Sequence, residues 1–170
     1  MSQAPLSFDL PDSGATENLG RALAKAFPGS GSGAIVYLRG ELGSGKTTCA
    51  RSLLRALGVT VPVRSPTYTL VDTYSVAELI LVHVDLYRVQ TTTEVEELGL
   101  RDMTGPGYLM LIEWPEKGGA AVPPADLLLQ LAYRGDARAA ALGAGSGTGK
   151  AWLEKLAIDS SLAPYVSNLT

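Results

Sequence analysis

Two periods run through the apolar positions of this chain. Short continuous runs at 34–39 (AIVYLR), 79–85 (LILVHVD) and 108–113 (YLMLIE) predict buried strands. Leu6, Phe8 and Leu10 alternate with polar neighbours and predict a short strand entered from an N-terminal tail. Residues 69–74 read as a further strand, preceded by a loop because Pro62 and Pro66 bar a regular ladder. Residues 126–133 and 138–142 predict two more, joined by Arg134-Gly135-Asp136-Ala137. With no helix between them they should pair antiparallel, at a sheet edge.

Segments between these runs carry the helical period. Leu19, Ala22, Leu23 and Ala26 share one face of a helix predicted over 15–27, with caps on offer from Pro11-Asp12-Ser13. Pro28 and the glycine-rich run at 29–33 end it; that run reads as a loose surface connector, with lying over a nucleotide base as the alternative. Residues 48–57 predict a helix that stops at Gly58. Residues 91–98 predict a short capped helix whose acids form a solvated face rather than a metal site. Gly143 to Lys150 imitates a phosphate loop, but Ala151 stands where Ser or Thr is needed, so it reads as a flexible turn before a last helix at 152–158. Residues 1–158 are therefore read as one domain and 159–170 as a tail.

Composition narrows the function classes. A chain of 170 residues is large enough for a real core. Its formal net charge of −3 argues against gripping nucleic acid unaided. No apolar run approaches the roughly 20 residues of a membrane span, and the first residues lack a signal-peptide pattern, so the expectation is a cytoplasmic protein. The single cysteine, Cys49, rules out an internal disulfide and reads as a buried, inert thiol.

The chemistry concentrates at Gly40-Glu41-Leu42-Gly43-Ser44-Gly45-Lys46-Thr47-Thr48, which fits G-x-x-x-x-G-K-[ST] and sits between a predicted strand and a predicted helix. Glycines let successive N–H groups converge on one anion, and the helix N-terminus adds partial positive charge at the same spot. Lys46 can reach outer phosphates and the Thr47 hydroxyl can ligate Mg²⁺. Two apolar strands end in an acid, Asp85 and Glu113, where ligands bind in open α/β sheets; both are candidates for Mg²⁺ or for the attacking water. Thr67 and Ser65 are candidates for a hydroxyl that senses the outer phosphate, a plain Ser-Pro-Thr turn being the alternative. His83, the only histidine, shares a face with Asp85; it reads as a satisfied core residue, with a hydrogen bond near the site as the alternative. Arg88 is open between a phosphate or partner contact and a solvated surface, and Trp114 between a partner-facing aromatic and local packing.

The ordered set of that loop, Ser65-Pro-Thr-Tyr-Thr-Leu70, His83-Val-Asp-Leu-Tyr-Arg88 and Glu113-Trp-Pro115 resembles the bacterial tRNA threonylcarbamoyladenosine biosynthesis ATPases, the TsaE (YjeE) family, over roughly residues 6–158. The resemblance implies an α/β, three-layer P-loop NTPase fold with a mainly parallel sheet, antiparallel edge strands and flanking helices. It implies ATP and ADP binding with Mg²⁺, slow ATP hydrolysis by the chain alone, and association with the TsaB–TsaD pair. That pair transfers threonylcarbamoyl to the adenosine beside the anticodon of ANN-decoding tRNAs, so tRNA is met only through the complex. On its own the chain is expected to be a monomer or weak oligomer. Carried over by position, Leu42, Gly43, Ser44, Gly45, Lys46 and Thr47 bind phosphates, with Thr48 beside them. Thr47 and Glu113 hold Mg²⁺, Asp85 takes the Walker B position, Thr67 is switch-like, and Ser13 lies near the adenine. Asp85, Lys46 and Thr67 form the catalytic set, and Asp85 joins Thr47 and Glu113 as a metal candidate. Arg138 is counted with the nucleotide-binding residues, although the stretch between Tyr133 and Leu142 is shorter than the family's usual form and leaves Arg134 and Arg138 open as alternatives.

Three other functions compete. A small-molecule kinase would need an acceptor pocket and an Arg-rich lid stretch, and no such stretch is evident. A GTPase would need N-K-x-D, and Asp102-Met103-Thr104-Gly105 follows a predicted helix rather than a strand. A nucleotide-regulated scaffold would leave Asp85 and Glu113 dispensable.

Overall fold

Strands β1 (Leu6–Leu10), β2 (Ala34–Arg39), β3 (Val71–Val76), β4 (Leu79–Asp85), β5 (Tyr108–Glu113), β6 (Leu127–Arg134) and β7 (Ala137–Ala144) form a 7-stranded sheet in the order β1-β7-β6-β2-β5-β4-β3. The computed structural model describes residues 4–168; the first part of the expected N-terminal tail and the last two residues of the expected C-terminal one lie outside the described residues. Strands β6, β2, β5 and β4 run parallel, while β3 pairs antiparallel with β4, and β7 with both β6 and β1. This is the α/β P-loop NTPase architecture.

Helices α1 (Ser13–Ala26), α2 (Lys46–Ala56) and α4 (Gly147–Ala157) cover one face of the sheet, and the short α3 (Thr92–Glu97) with neighbouring 3₁₀ turns covers the other. The parallel strands alternate between two apolar cores. Leu81, Leu109, Leu111, Val36 and Leu38 face α1, α2 and α4, whereas Val82, Val84, Met110, Ile112 and Ile35 face α3. Burial on both faces explains why these strands are continuously apolar. On the first face Trp152 of α4 is fully buried and its indole N–H donates to the Leu23 carbonyl at 3.0 Å, locking α4 to α1.

Local chemistry sets the helix starts. Asp12 caps α1 by accepting from the Ala15 N–H at 2.8 Å. Thr91 and Glu94 form a capping box on α3.

Four expectations need correction. The β6–β7 hairpin is not at a sheet edge, because β1 crosses over and pairs outside β7. Strand β3 begins at Val71 rather than Thr69, because Leu70 takes a left-handed φ of 65° and its carbonyl accepts from the Asp85 N–H at 3.0 Å. The glycine-rich segment at 143–150 is not a flexible turn. It ends β7, caps α4 through Ser146 and forms the first turn of α4, where a Cβ on Gly149 would meet the Asp126 carbonyl oxygen at 1.6 Å. Up to residue 168, the expected C-terminal tail is folded. A 3₁₀ helix, Ser160–Tyr165, buries Leu162 in the larger core, and Val166 bridges antiparallel to Phe8 along the outer side of β1.

Candidate active site

From the end of β2 the chain turns through Gly40–Gly45 into α2. Gly43 and Gly45 hold φ of 78° and 104°, and a Cβ on Gly43 would meet the Tyr133 hydroxyl oxygen at 2.6 Å. Among the described residues no side chain caps α2, and its first helical bond is Cys49 N–H to Gly45 O at 3.0 Å. The N–H groups ahead of Cys49 therefore have no partner within the helix and carry its positive end.

Lys46 is buried against this loop. Its ammonium donates to the Gly40 and Glu41 carbonyls at 2.7 and 2.8 Å and lies 4.3 Å from the centre of the Trp114 ring. Burial pulls its pKa below the ordinary lysine value, and Glu113, Asp85 and Glu116 oppose that pull.

Two carboxylates face the loop because of strand register. In the parallel pair β4–β5, Asp85 lies opposite Glu113, both buried at the carboxyl ends of their strands. Glu113 Oε1 accepts from the Thr47 hydroxyl at 2.8 Å, and Oε2 is 2.7 Å from His83 Nε2. Asp85 Oδ1 accepts from the Tyr87 N–H at 2.9 Å, and Oδ2 accepts from the Ser65 hydroxyl. It is Ser65, rather than Thr67, that ties the Ser-Pro-Thr loop to Asp85. Thr67 lines the same cleft, with its N–H on the Ser65 carbonyl at 2.9 Å.

That cleft, of about 280 Å³, is bounded by Lys46, Thr47, Thr67, Asp85, Glu113 and Trp114. A second depression of about 150 Å³ lies across the loop, where Ser13 and Arg138 meet Gly43, Ser44, Gly45 and Thr48. Gly43, Gly45 and Thr48 line both. Arg138 donates to the Gly43 carbonyl at 3.2 Å and stacks 4.1 Å from the centre of the Tyr133 ring. Arg134 turns away to pair with Asp9. Leu42 is exposed, and its carbonyl accepts from the Tyr133 hydroxyl at 2.7 Å. Arg88 stacks on Tyr68, its guanidinium 4.5 Å from the ring centre.

Three residues enter the site that sequence reasoning missed or left undecided. His83 lies in the core, as read, and also within hydrogen-bond distance of Glu113, the alternative left open; its position two residues before Asp85 was the available signal. Trp114 takes a left-handed φ of 59°, which swings its ring beneath Lys46 and against Tyr87 at 5.0 Å. Tyr133 closes the loop from β6, and nothing local in the sequence marks it.

The donors present fit a nucleotide with Mg²⁺. The loop is a cradle that a Cβ would fill, and the Ser44 hydroxyl is buried without a partner among the described residues. Among the described residues no three His, Cys, Asp or Glu side chains form a metal cluster of their own. A cation would therefore rest on Thr47, Glu113 and Asp85 together with phosphate oxygens and water, the set Mg²⁺ prefers.

The family model described as "Threonylcarbamoyl adenosine biosynthesis protein TsaE" matches residues 10–156. The chain belongs to the TsaE family. The TsaE of Haemophilus influenzae is 45% identical over 116 residues, covering 68% of this chain and 73% of that protein. The TsaE of Synechocystis sp. is 39% identical over 121 residues, 69% and 74% of the two chains. Both are described as tRNA threonylcarbamoyladenosine biosynthesis proteins. The crystal structure of Bacillus subtilis YdiB superposes with a TM-score of 0.73 at 24% identity, over 92% of this chain and 96% of that one, a likeness of fold. No helix among the described residues is long and apolar enough to cross a membrane.

Proposed function

We infer that this chain is a Mg²⁺-dependent P-loop ATPase of tRNA N6-threonylcarbamoyladenosine biosynthesis, weak alone and stimulated by the TsaB–TsaD pair. The observation that carries this reading is the convergence of Lys46, Thr47, Asp85 and Glu113 on one cleft at the open N-terminus of α2. Phosphoryl transfer to water asks for positioning and charge neutralisation. Loop N–H groups and Lys46 supply the second; bound Mg²⁺ would add its positive charge to theirs. Thr47 and Glu113 would hold that ion, with Asp85 beside them. Asp85, tied to Ser65, holds the loop carrying Thr67 against the cleft. Ser13 and Arg138, which line the depression across the loop, would hold the nucleoside end of ATP or ADP.

Among the described residues lining the phosphate cleft, Lys46 is the only cation. This supports a slow reaction in isolation and a partner that orders the switch loop or supplies an arginine, worth roughly 10³–10⁵ where an arginine finger is the mechanism. The chain acts in the cytoplasm as a monomer or weak oligomer and meets tRNA through TsaB–TsaD.

Asp85→Ala and Glu113→Ala test the reading when nucleotide binding and hydrolysis are measured side by side. Both variants should still bind ADP and should lose turnover by roughly 10²–10³, the scale of one lost transition-state contact. Turnover at the parent rate in both would make the protein a nucleotide-regulated scaffold.

A further inference from the structure

His83 is fully buried, belongs to neither the glycine loop nor the pair of strand-end acids, and stands within hydrogen-bond distance of Glu113. Strand β4 places it two residues before Asp85 on the same sheet face, opposite Leu111 of β5 and Asp72 of β3. An ionised carboxylate only accepts hydrogen bonds, so the 2.7 Å contact assigns the hydrogen to Nε2. Each oxygen of Glu113 then accepts from one protein donor: Oε2 from His83, Oε1 from Thr47 at 2.8 Å. Two donors on two oxygens fix both the position and the rotation of the carboxylate plane.

The arrangement is costly as mere core filling. Glu113 is 2% exposed and His83 0%. Among the described residues His83 Nδ1 has no partner, a deficit that apolar packing would avoid. Leu81 and Leu109 show that the same face accepts leucine one step away. A histidine that leaves one nitrogen unsatisfied while holding a carboxylate at a strand end matches the outer-layer partner that orients a metal-ligating carboxylate.

We propose that His83 is a positioning residue: it aims Glu113 so that the carboxylate and the Thr47 hydroxyl present a preset pair of oxygens to the Mg²⁺ of a bound nucleotide. This rests on the nucleotide reading above. His83 touches neither nucleotide nor metal; it acts through Glu113.

The test uses the fact that this is the chain's only histidine, so its imidazole nitrogen signals are unambiguous in the full-length ¹⁵N-labelled protein. Nitrogen–proton correlation spectra should show hydrogen on Nε2. Adding ADP with Mg²⁺ should shift the Nε2 signal, and adding ADP with EDTA should leave it near its starting position. A response of equal size with and without Mg²⁺, or hydrogen on Nδ1, overturns the proposal while the Gly43–Thr47 amide signals still report binding. If those amides do not move either, the nucleotide reading itself fails, and this proposal with it.

Substitution gives a second arm. His83→Leu should raise the Mg²⁺ needed for half-maximal ATP hydrolysis by about 10–100-fold, the usual cost of losing such a partner. Its ADP affinity in EDTA should stay at the parent value. His83→Gln, which keeps an N–H donor at a similar reach, should recover most of that loss. If Gln is no better than Leu although both variants melt like the parent, the hydrogen bond to Glu113 has no positioning role. Should Leu fail to fold, the Gln variant and the spectra of the parent decide the matter.

Discussion

Cys49 and Ser65 flank the site, and burial or contact gives each a specific behaviour. The Cys49 thiol lies one turn into α2 and is pushed up to about 12, by burial first and the Glu113 charge second. About one such thiol in ten thousand is ionised at pH 8. Native protein should thus be inert to a thiol-reactive dye at that pH and react fully once unfolded in urea; fast native labelling would contradict the burial. The sign of the linkage follows. A proton held more tightly by the folded chain costs stability as pH rises from about 9 toward about 12. At Ser65, substitution by Ala removes the hydroxyl from Asp85 and frees the loop that carries Thr67. Ser65→Ala should slow single-turnover hydrolysis while ADP affinity holds; loss of affinity at unchanged turnover would place Ser65 in ground-state binding. The Lys46, Thr47, Asp85 and Glu113 positions were legible because a glycine-lysine spacing and an acid at a strand end are local patterns. The Ser65–Asp85 and His83–Glu113 contacts were not, because they depend on which strands are neighbours and in what register.

Helix α2 carries the proposed phosphate-binding end, so what it packs against matters at the scale of the element. Gly20 of α1 lets the two helices touch. A Cβ there would lie 2.6 Å from the Cys49 carbonyl oxygen and 2.7 Å from the Ser52 Cβ. Alanine at a helix interior gains up to about 1 kcal/mol over glycine. Overpacking against backbone costs about 1–3 kcal/mol. The second effect should win, so Gly20→Ala should lower the urea midpoint; a raised midpoint would show that the helices separate freely. Strands β2, β4 and β5 and the caps on α1 and α3 were readable because burial on both faces and capping chemistry are written in adjacent residues. The place of β1 outside β7, and the start of α4 inside a glycine-rich segment, were not. The first is a long-range pairing. The second depends on Gly149 fitting against Asp126, far away in the chain.

At the scale of the molecule, the segment after α4 closes the structure by burying Leu162 and covering the outer side of β1. Burying one leucine contributes about 1.5–3 kcal/mol. Removing residues 159–170 should therefore lower the melting temperature by several degrees; because Pro164 and Tyr165 share a depression with Arg138, ADP affinity measured alongside shows whether the segment also serves the nucleotide. Loss of binding would tie that segment to the site. On the proposed reading, the acidic chain, with Lys46 as the one cation lining the cleft among the described residues, would hold Mg²⁺-ATP and await a second protein. Steady-state ATP hydrolysis with Mg²⁺, by the chain alone and with a cognate TsaB–TsaD pair, tests this most directly. A slow reaction alone and strong stimulation by the pair, abolished in Lys46→Ala, are the expected outcome. Fast hydrolysis by the isolated chain, or ATP binding that the pair leaves without any gain in rate, would contradict it.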